Sequence, residues 1–131
     1  AQLAKLQATK KTQINPKVMP AKDTITFDDF QKMDIRIGKV LEAEPVPKTD
    51  KLLKMTIDTG LDKRTVVSGI AQHYKAEEMV GKQVTILVNL APRKIRGVES
   101  QGMILMAENA EGQLALVSSD DDELMAGSTV A

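Results

Sequence analysis

The stretch "DIRIGKVLEAE", residues 34–44, shows the alternation of apolar and polar residues that recurs in the later strands. Ile35 and Ile37 alternate with Arg36, and a two-residue period of this kind is typical of a β-strand with one buried face. Gly38 interrupts the alternation, so it predicts a β-bulge at which a barrel strand bends. The stretch therefore predicts the first strand of a barrel.

Five further stretches continue this pattern downstream. "LLKMTIDTG" places Leu53, Met55 and Ile57 on one face of a second strand. The other predicted strands are "TVVSGI", "KQVTILVNL", "GMILMAEN" and "GQLALVS". Turn residues separate these strands every eight to twelve residues or so, a spacing that favours an all-β barrel over a sandwich.

Two helical patterns interrupt the strands. Thr26 is predicted to cap a short helix in which Phe27 and Phe30 turn inward. A second helix is predicted in "AQHYKAEEMVG", ending at Gly81, with three side chains packing inward, Tyr74, Met79 and Val80. This helix falls between the third and fourth strands, where the five-stranded Greek-key barrel of the OB-fold carries one. The predicted fold is therefore an all-β OB-fold with terminal extensions.

The charges are segregated although they balance. The chain has 18 Lys and Arg residues against 18 Asp and Glu residues, yet residues 97–131 contain seven acids and no base. The balance excludes a uniformly basic nucleic-acid protein, but a local basic cluster remains. Three basic residues in four positions form it, namely Arg93, Lys94 and Arg96. A solvated surface with an acidic tail is the alternative reading.

The sequence is poor in catalytic and metal-binding groups. It has no cysteine, which excludes disulfides and thiolate metal sites, and its one histidine, His73, lacks an evident orienting partner. Ser68 and Ser100 lack the flanking glycines of a nucleophile elbow. The acidic run at residues 120–123 could attract a divalent ion, but consecutive carboxylates splay apart. A binding module is the function class that remains.

Targeting signals are equally scarce. No run of 18 apolar residues exists, and the polar, Lys-bearing start does not resemble a signal peptide. No membrane partner is therefore expected, and a cytoplasmic location is the default expectation.

The basic cluster suits a nucleic-acid ligand. Pro92 removes a ladder donor as the chain leaves the fourth strand, so residues 93–96 are predicted to form a loop at the barrel rim. Asn89 and Ser100 flank this loop with hydrogen-bonding groups, and Met103 offers a soft apolar contact. Taken singly, these residues would be read as a turn residue, a solvated loop or core. Because the chain has only three aromatic residues, structured RNA is a better ligand than a stacked single strand.

Five motifs, at residues 30–36, 50–53, 68–70, 89–94 and 100–103, read "FQKMDIR", "DKLL", "SGI", "NLAPRK" and "SQGM". Over about residues 24–131 the chain closely resembles the C-terminal tRNA-binding domain of bacterial methionyl-tRNA synthetases. It is similar also to stand-alone tRNA-binding proteins and to the endothelial-monocyte-activating polypeptide family. Thr49 stands where many relatives have Ser, which keeps the hydroxyl.

The resemblance implies a non-catalytic domain that binds tRNA by its shape and forms a homodimer through its terminal regions. It implies no cofactor in this chain; ATP, with zinc as a further candidate, would act only in the catalytic part of a full-length methionine–tRNA ligase. Its RNA-binding positions would be Lys51, Asn89, Arg93, Lys94, Arg96, Ser100 and Met103. Charge and strand position add Lys54 and Arg64 as further candidates.

The predicted organisation has three parts. Residues 1–23 are expected to be a linker and the end of an upstream region, residues 24–117 the OB-fold domain, and residues 118–131 an extension that packs on a partner or folds back on the barrel. The start at Ala1, without an initiator Met, favours a piece of a longer synthetase. The alternatives are a stand-alone tRNA-binding protein and a dimeric export-chaperone relative that binds peptides on the same fold.

Overall fold

A computed structural model describes residues 18–131 of the chain. The predicted upstream helix end and most of the predicted linker lie outside these residues. The described part contains helices α1 (Phe27–Gln31) and α2 (Ala76–Met79) and strands β1 (Ile35–Pro45), β2 (Leu53–Asp58), β3 (Lys63–Ser68), β4 (Gln83–Leu87), β5 (Arg93–Ile95), β6 (Val98–Ser100), β7 (Met103–Ile104), β8 (Met106–Glu108), β9 (Leu114–Leu116) and β10 (Thr129–Val130).

The main sheet is antiparallel and has the order β3-β2-β1-β4-β7, with β10 paired to β1. Its far edges approach each other where the backbone N–H of Gln101 donates to the carbonyl of Thr65 at 2.8 Å. The Ser100 hydroxyl accepts from the Val67 N–H at 3.0 Å beside it. These bonds nearly close the barrel, and α2 lies between β3 and β4. The predicted OB-fold is confirmed.

The core lies inside this barrel and follows the predicted alternation. Leu53, Met55 and Ile57 of β2 are buried, while the residues between them are half-exposed. They pack with buried side chains from the neighbouring strands and from α2, chiefly Val40, Val66, Met79, Val84, Ile86 and Ile104. Burying each of these side chains contributes about 1.5–3 kcal/mol relative to exposure, so this core holds the barrel together.

The bulge predicted at Gly38 lies further along β1. The register between β1 and β2 shifts between Val40 and Glu42, whereas Gly38 pairs regularly with Val84. A Cβ on Gly38 would lie 2.9 Å from Cγ2 of Ile57. The glycine is therefore required by close packing against β2 and not by a bend.

Helix α1 begins as predicted but does not bury both phenylalanines. The Thr26 hydroxyl accepts from the Asp29 N–H at 3.1 Å, and the Asp29 carboxylate accepts from the Thr26 N–H at 3.3 Å, which forms a capping box. Phe30 is half-buried, but Phe27 is 69% exposed. The inward prediction for Phe27 was wrong because a five-residue helix turns only one narrow side to the barrel.

Helix α2 is a single turn, shorter than the predicted one. Met79 is buried and Tyr74 half-buried, as predicted, but Val80 is 49% exposed. The chain is already extended at Val80, which turns its side chain away from the barrel. Gly81, at φ 87°, then reverses the direction of the chain, so the predicted stop is confirmed.

The predicted fifth strand is divided in two. Met103–Ile104 pairs with β4 in the main sheet, whereas Met106–Glu108 pairs with β9 in a separate two-stranded sheet. Leu105 lies at the division, and its N–H donates to the Thr85 carbonyl at 2.8 Å. The chain therefore leaves the barrel at Leu105 to form the β8–β9 hairpin.

The segment after β9 folds back on its own barrel, one of the two arrangements left open by the sequence. The Gln83 side chain accepts from the Ser118 hydroxyl at 2.6 Å and donates to the Asp121 carbonyl at 2.9 Å. Further on, Gly127 packs against Gly60, and a Cβ on Gly60 would collide with the backbone of Gly127. Strand β10 then pairs with the start of β1. Within residues 18–131, no helix is long and apolar enough to cross a membrane.

Candidate nucleic-acid interface

The basic cluster lies on a β-hairpin, which we call the basic arm (residues 93–100). Arg93 pairs with Ser100 and Lys94 with Glu99, and this two-stranded sheet is separate from the main one. The prediction of a rim loop over residues 93–96 was wrong for Arg93–Ile95, which form strand β5, and only Arg96 lies in the turn. Strand pairing fixes the direction of each basic side chain more firmly than a loop would.

The tip of the arm is a two-residue turn with an unusual first residue. Arg96 has φ 54° and Gly97 has φ 80°, and left-handed values at both positions are typical of the type I′ hairpin turn. Asn-Gly or Asp-Gly is the usual pair, because an arginine at positive φ is strained. The absence of those pairs explains why the sequence did not reveal the hairpin.

The cations of the arm have no ion-pair partner among residues 18–131. Arg93, Lys94 and Arg96 are all exposed. Among residues 18–131 the four ion pairs are Lys32–Asp29, Arg36–Asp34, Lys54–Glu44 and Arg64–Asp62, so none includes a residue of the arm. The three positive charges are therefore free to attract an anionic ligand.

Ser100 anchors the arm and is not exposed. It is buried, its hydroxyl accepts from the Val67 N–H, and it donates to the Gly102 carbonyl at 3.3 Å. The first bond ties the end of β6 to β3, and the second is local to the chain segment that follows. Ser100 therefore positions the basic arm, and its hydroxyl is already engaged within the protein.

Asn89 also makes structural bonds. Its Oδ1 accepts from the Asp34 N–H at 2.9 Å, and its Nδ2 donates to the Lys32 carbonyl. These bonds join the end of β4 to the segment between α1 and β1. One face of the side chain remains exposed beside the arm.

Arg64 is held by two internal acceptors. Its Nε donates to Oδ1 of Asp62 at 2.9 Å and its Nη1 donates to the Val88 carbonyl, which leaves the side chain 22% exposed. The hydrogen bond from Arg64 lowers the pKa of Asp62, partial burial opposes this, and the Thr59 hydroxyl together with the charge of Arg64 lowers it further. Arg64 thus contributes positive charge from a fixed position.

Two clefts adjoin the arm, one at its base and the other along β6 and the turn. The first, of about 460 Å³, is lined by Arg64, Asn89, Pro92 and Gln101 among others, and we call it the Arg64 cleft. The second, of about 350 Å³, is the Lys54 cleft, lined by Lys54, Thr65, Gly97, Val98, Glu99 and Gln101. Gln101 lines both clefts, although its sequence context did not single it out.

Gln101 is fixed by β3. Its Oε1 accepts from the Thr65 N–H at 3.2 Å, while its own N–H donates to the Thr65 carbonyl. Its Nε2 donates to no group among residues 18–131, so two amide hydrogens are available to a ligand. Only barrel closure brings Gln101 to Thr65, so no local sequence signal marks it.

The remaining candidates lie around this centre at different distances. Lys54 lines its cleft and pairs loosely with Glu44 at 3.7 Å. Lys51 is exposed in the loop before β2 and lines neither cleft. Met103 is 43% exposed on β7, opposite Leu87. The structure therefore places Lys54, Arg64 and Asn89 in the clefts beside the arm and leaves Lys51 and Met103 outside them.

The acidic tail occupies another part of the surface. Asp122 and Glu123 line a groove with Lys39 and Gln83, on the side where the tail folds over β1 and β4. No group of three or more His, Cys, Asp or Glu side chains within residues 18–131 could hold a metal ion. The chemistry that the arm and its clefts offer is charge attraction together with hydrogen-bond donation, which suits a polyanion.

Comparison with known proteins gives closely similar sequences. The chain is 56% identical over 131 residues to the methionine–tRNA ligase of Christiangramia forsetii, covering 98% of this chain and 19% of that protein. It is 59% identical over 123 residues to the methionine–tRNA ligase of Flavobacterium johnsoniae, covering 92% of this chain and 17% of that protein. The chain thus spans about a fifth of the length of these curated relatives.

Solved structures share the fold. A methionyl-tRNA-synthetase-related protein from Pyrococcus horikoshii superposes with a TM-score of 0.79 at 38% identity, covering 84% of this chain and all of that one. The chaperone CsaA from Bacillus anthracis superposes with a TM-score of 0.75 at 28% identity, covering 83% of this chain and all of that one.

The family described as "Putative tRNA binding domain" matches residues 35–129, a span that runs from the start of β1 into β10. It includes the basic arm, both clefts and the segment that folds back on the barrel. Because the match covers most of the chain, this protein belongs to the tRNA-binding domain family.

Proposed function

We propose that this chain is the non-catalytic tRNA-binding module of a methionine–tRNA ligase. The observation that carries the proposal is the basic arm, whose three exposed cations have no ion-pair partner within residues 18–131. Family membership and the names of the similar ligases support tRNA as the anion that the arm binds.

Binding is assigned to the shape and backbone of the tRNA. Phosphates attract the arm through a salt-dependent term that carries no sequence information. Stacking on unpaired bases contributes little, because Phe27, Phe30 and Tyr74 are the only aromatic residues and none of them lines the two clefts. A ligand with a fixed arrangement of phosphates, such as folded tRNA, suits this surface.

The role of the module follows from tethering. Catalysis, with ATP and any zinc, is assigned to the remainder of a full-length ligase in the cytoplasm. A second tRNA contact on the same protein acts at a high effective concentration, so modest affinity in the module raises overall affinity substantially.

We also assign a homodimer to this module, on the basis of an apolar row on its outer face. Val130, Ile35, Leu87 and Met103 are register partners across β10, β1, β4 and β7. Val130 is 38% exposed and Met103 43% exposed, so the row is partly open at both ends. A second copy placed on this row would bury it, as isologous interfaces do.

Salt dependence tests the tRNA proposal. The affinity of the chain for tRNA should fall steeply between about 50 and 200 mM salt, with a slope of roughly 0.7–0.9 per phosphate contact on logarithmic axes. An affinity that stays flat over this range would contradict the proposal.

Sedimentation tests the dimer separately. Met103→Glu together with Val130→Glu should yield a monomer, since two buried charges per subunit would be unpaired. Val80→Glu, at an exposed position outside the row, should leave the dimer intact. A dimer unchanged by the first pair would remove the row from the interface.

The alternative function is peptide binding of the kind suggested by the name of the chaperone CsaA, which has the same fold. It would use the apolar row in place of the arm. Unfolded-peptide binding that survives loss of the arm's charges, with no tRNA binding by the unmodified chain, would favour this alternative.

A further inference from the structure

Glu99 is an acid in the middle of the basic arm. It faces Lys94 across the hairpin and is exposed, yet its carboxylate makes no hydrogen bond or ion pair among residues 18–131. A carboxylate repels phosphate and lowers affinity on a surface that binds phosphates alone. Its position therefore calls for a ligand group other than phosphate.

The surroundings of Glu99 are polar and open. It lines the Lys54 cleft, whose volume of about 350 Å³ corresponds to roughly ten water molecules at liquid density. Gln101, two residues after Glu99, lines the same cleft and has its Oε1 occupied by the Thr65 N–H, so its Nε2 is the group left to act on a ligand. The cleft thus offers an acceptor and a donor from neighbouring positions of one chain segment.

These groups match the chemistry of ribose. An ionised carboxylate only accepts hydrogen bonds, and phosphates have no hydrogen to give it. The 2′-hydroxyl of RNA both donates and accepts, and A-form helices display it along a wide, shallow minor groove. A protruding two-stranded arm can approach a groove of that shape from its open side.

We propose that the Lys54 cleft binds a ribose of structured RNA. Glu99 accepts a hydrogen bond from the 2′-hydroxyl, and Nε2 of Gln101 donates to an oxygen of the same sugar. This inference rests on the proposed function and deepens it, because it makes the arm selective for RNA. The cations of the arm supply affinity, which is equal for any nucleic acid of the same charge and shape.

The test compares two ligands that share charge and A-form pairing. One is a tRNA transcript, and the other is a transcript of the same sequence with 2′-fluoro groups, which cannot donate a hydrogen bond. The unmodified chain should prefer the tRNA by about tenfold, the discrimination expected of one good charged hydrogen bond. Equal affinities for the two ligands would overturn the inference.

Two substitutions separate the acceptor from the charge. Glu99→Met removes the acceptor at similar length and should abolish the preference for tRNA. Glu99→Gln removes the charge but keeps an acceptor oxygen, so part of the preference should remain. If both variants instead bind the two ligands more tightly and to the same extent, Glu99 is only a repulsive charge and the inference is overturned.

A control outside the cleft tests whether the effect depends on the position of Glu99 and not on the loss of one negative charge. Glu108→Gln removes one charge from an exposed residue on β8 and should leave the preference unchanged. Equal loss of preference in this control would also overturn the inference. A chain that binds neither ligand would instead overturn the proposed function, so the two failures are distinguishable.

Discussion

Two hairpins extend from the barrel, and they use their polar residues in opposite ways. The basic arm and the β8–β9 hairpin each pair three residues with three. In the β8–β9 turn, Oδ1 of Asn109 accepts from the N–H groups of Glu111 and Gln113 at 3.0 and 2.9 Å. At the tip of the basic arm Arg96 has a strained backbone and is exposed, and its side chain makes no such bond within residues 18–131.

This difference assigns the polar residues of the β8–β9 turn to stability and the cations of the basic arm to ligand binding. Asn109 also donates to the Gln113 side chain at 2.7 Å, so the β8–β9 turn satisfies its own hydrogen-bonding groups. In the basic arm the strands pair through their backbones and Ser100 anchors β6, while the three cationic side chains make no ion pair among residues 18–131. Removing cations of the arm should therefore lower tRNA affinity, whereas removing Asn109 from the β8–β9 turn should lower stability.

The largest expected effect is on tRNA affinity when the arm loses charge. Lys94→Ala with Arg96→Ala should weaken tRNA binding at least tenfold at physiological salt, because two phosphate contacts are lost. The slope of log affinity against log salt should become shallower by about 1–2. Titrations at several salt concentrations measure both quantities.

The matched control for this pair is Lys39→Ala with Lys82→Ala, which removes the same charge from exposed residues outside the arm and clefts. It should cost little affinity. Equal losses in the two pairs would mean that overall charge, and not the arm, binds the tRNA.

Ser100→Ala should break the anchor of the arm. The buried N–H of Val67 would lose its acceptor, at a cost of about 1–3 kcal/mol in the free energy of unfolding. Urea denaturation measures the loss, and Ser128→Ala, at a half-exposed hydroxyl that bonds locally, is the control. Weakened tRNA binding at unchanged stability would show instead that Ser100 contacts the RNA directly.

Asn109→Ala should have the reverse profile of the Lys94 and Arg96 pair, with a loss of stability and no loss of tRNA affinity. The β8–β9 turn would lose the acceptor of two N–H groups, and we expect the free energy of unfolding to fall by about 1 kcal/mol. Affinity for tRNA should stay the same, because the residue lies outside the arm and both clefts. A change in affinity without a change in stability would remove the contrast between the hairpins.

Arg96→Asn should convert the tip of the arm into the usual type I′ pair. The strain at positive φ would be relieved, so the melting temperature should rise by an amount equivalent to about 0.5–1 kcal/mol. Loss of one cation should weaken tRNA binding by about threefold at the same time. Opposite changes in the two quantities are expected; a loss of both would mean that Arg96 also stabilises the turn.

The smallest expected effect is on the acid dependence of stability through Asp62. Its pKa lies below the ordinary value of 3.8 in the folded protein, chiefly because Arg64 donates to it. That stabilisation is present above pH 4 or so and is lost as the pH falls from the unfolded value through the lowered one. Because the carboxylate is half-exposed, solvent screening keeps the contribution small.

Asp62→Asn should therefore flatten the decline in stability below about pH 4, as measured by urea denaturation at a series of pH values. Asp23→Asn, at an exposed carboxylate without an ion pair among residues 18–131, serves as the control. If the stabilities of the two variants decline in parallel as the pH falls, the bond between Asp62 and Arg64 does not contribute to the acid dependence of stability.

Local patterns predicted most of the barrel. The alternation of Leu53, Met55 and Ile57 and the capping box at Thr26 depend on neighbouring residues, so the sequence contains the whole signal. The burial of Phe27 and Val80 depends on where a one-turn helix lies against the barrel. An amphipathic pattern does not predict which side chains are buried in an element of one turn, and this explains both errors.

The candidate site was less predictable for a similar reason. Ser100 and Asn89 were selected as polar residues near a basic cluster, but their bonds reach residues 33 and 55 positions away in the sequence. Gln101 was missed because its partner on β3 is 36 positions away. Charge clustering selected Lys94 and Arg96 from adjacent residues alone, and their contact with RNA stays a prediction.

The pairing of Ile35 with Val130 brings the entry and exit of the domain together. Register partners on antiparallel strands have Cα atoms about 4.5–5.5 Å apart, so the chain leaves the domain almost where it enters. A domain with adjacent ends can be inserted into a surface loop of another protein, or circularly permuted, without distorting its barrel. The pairing of β10 with β1 thus brings the first and last strands of the domain to one place on its surface.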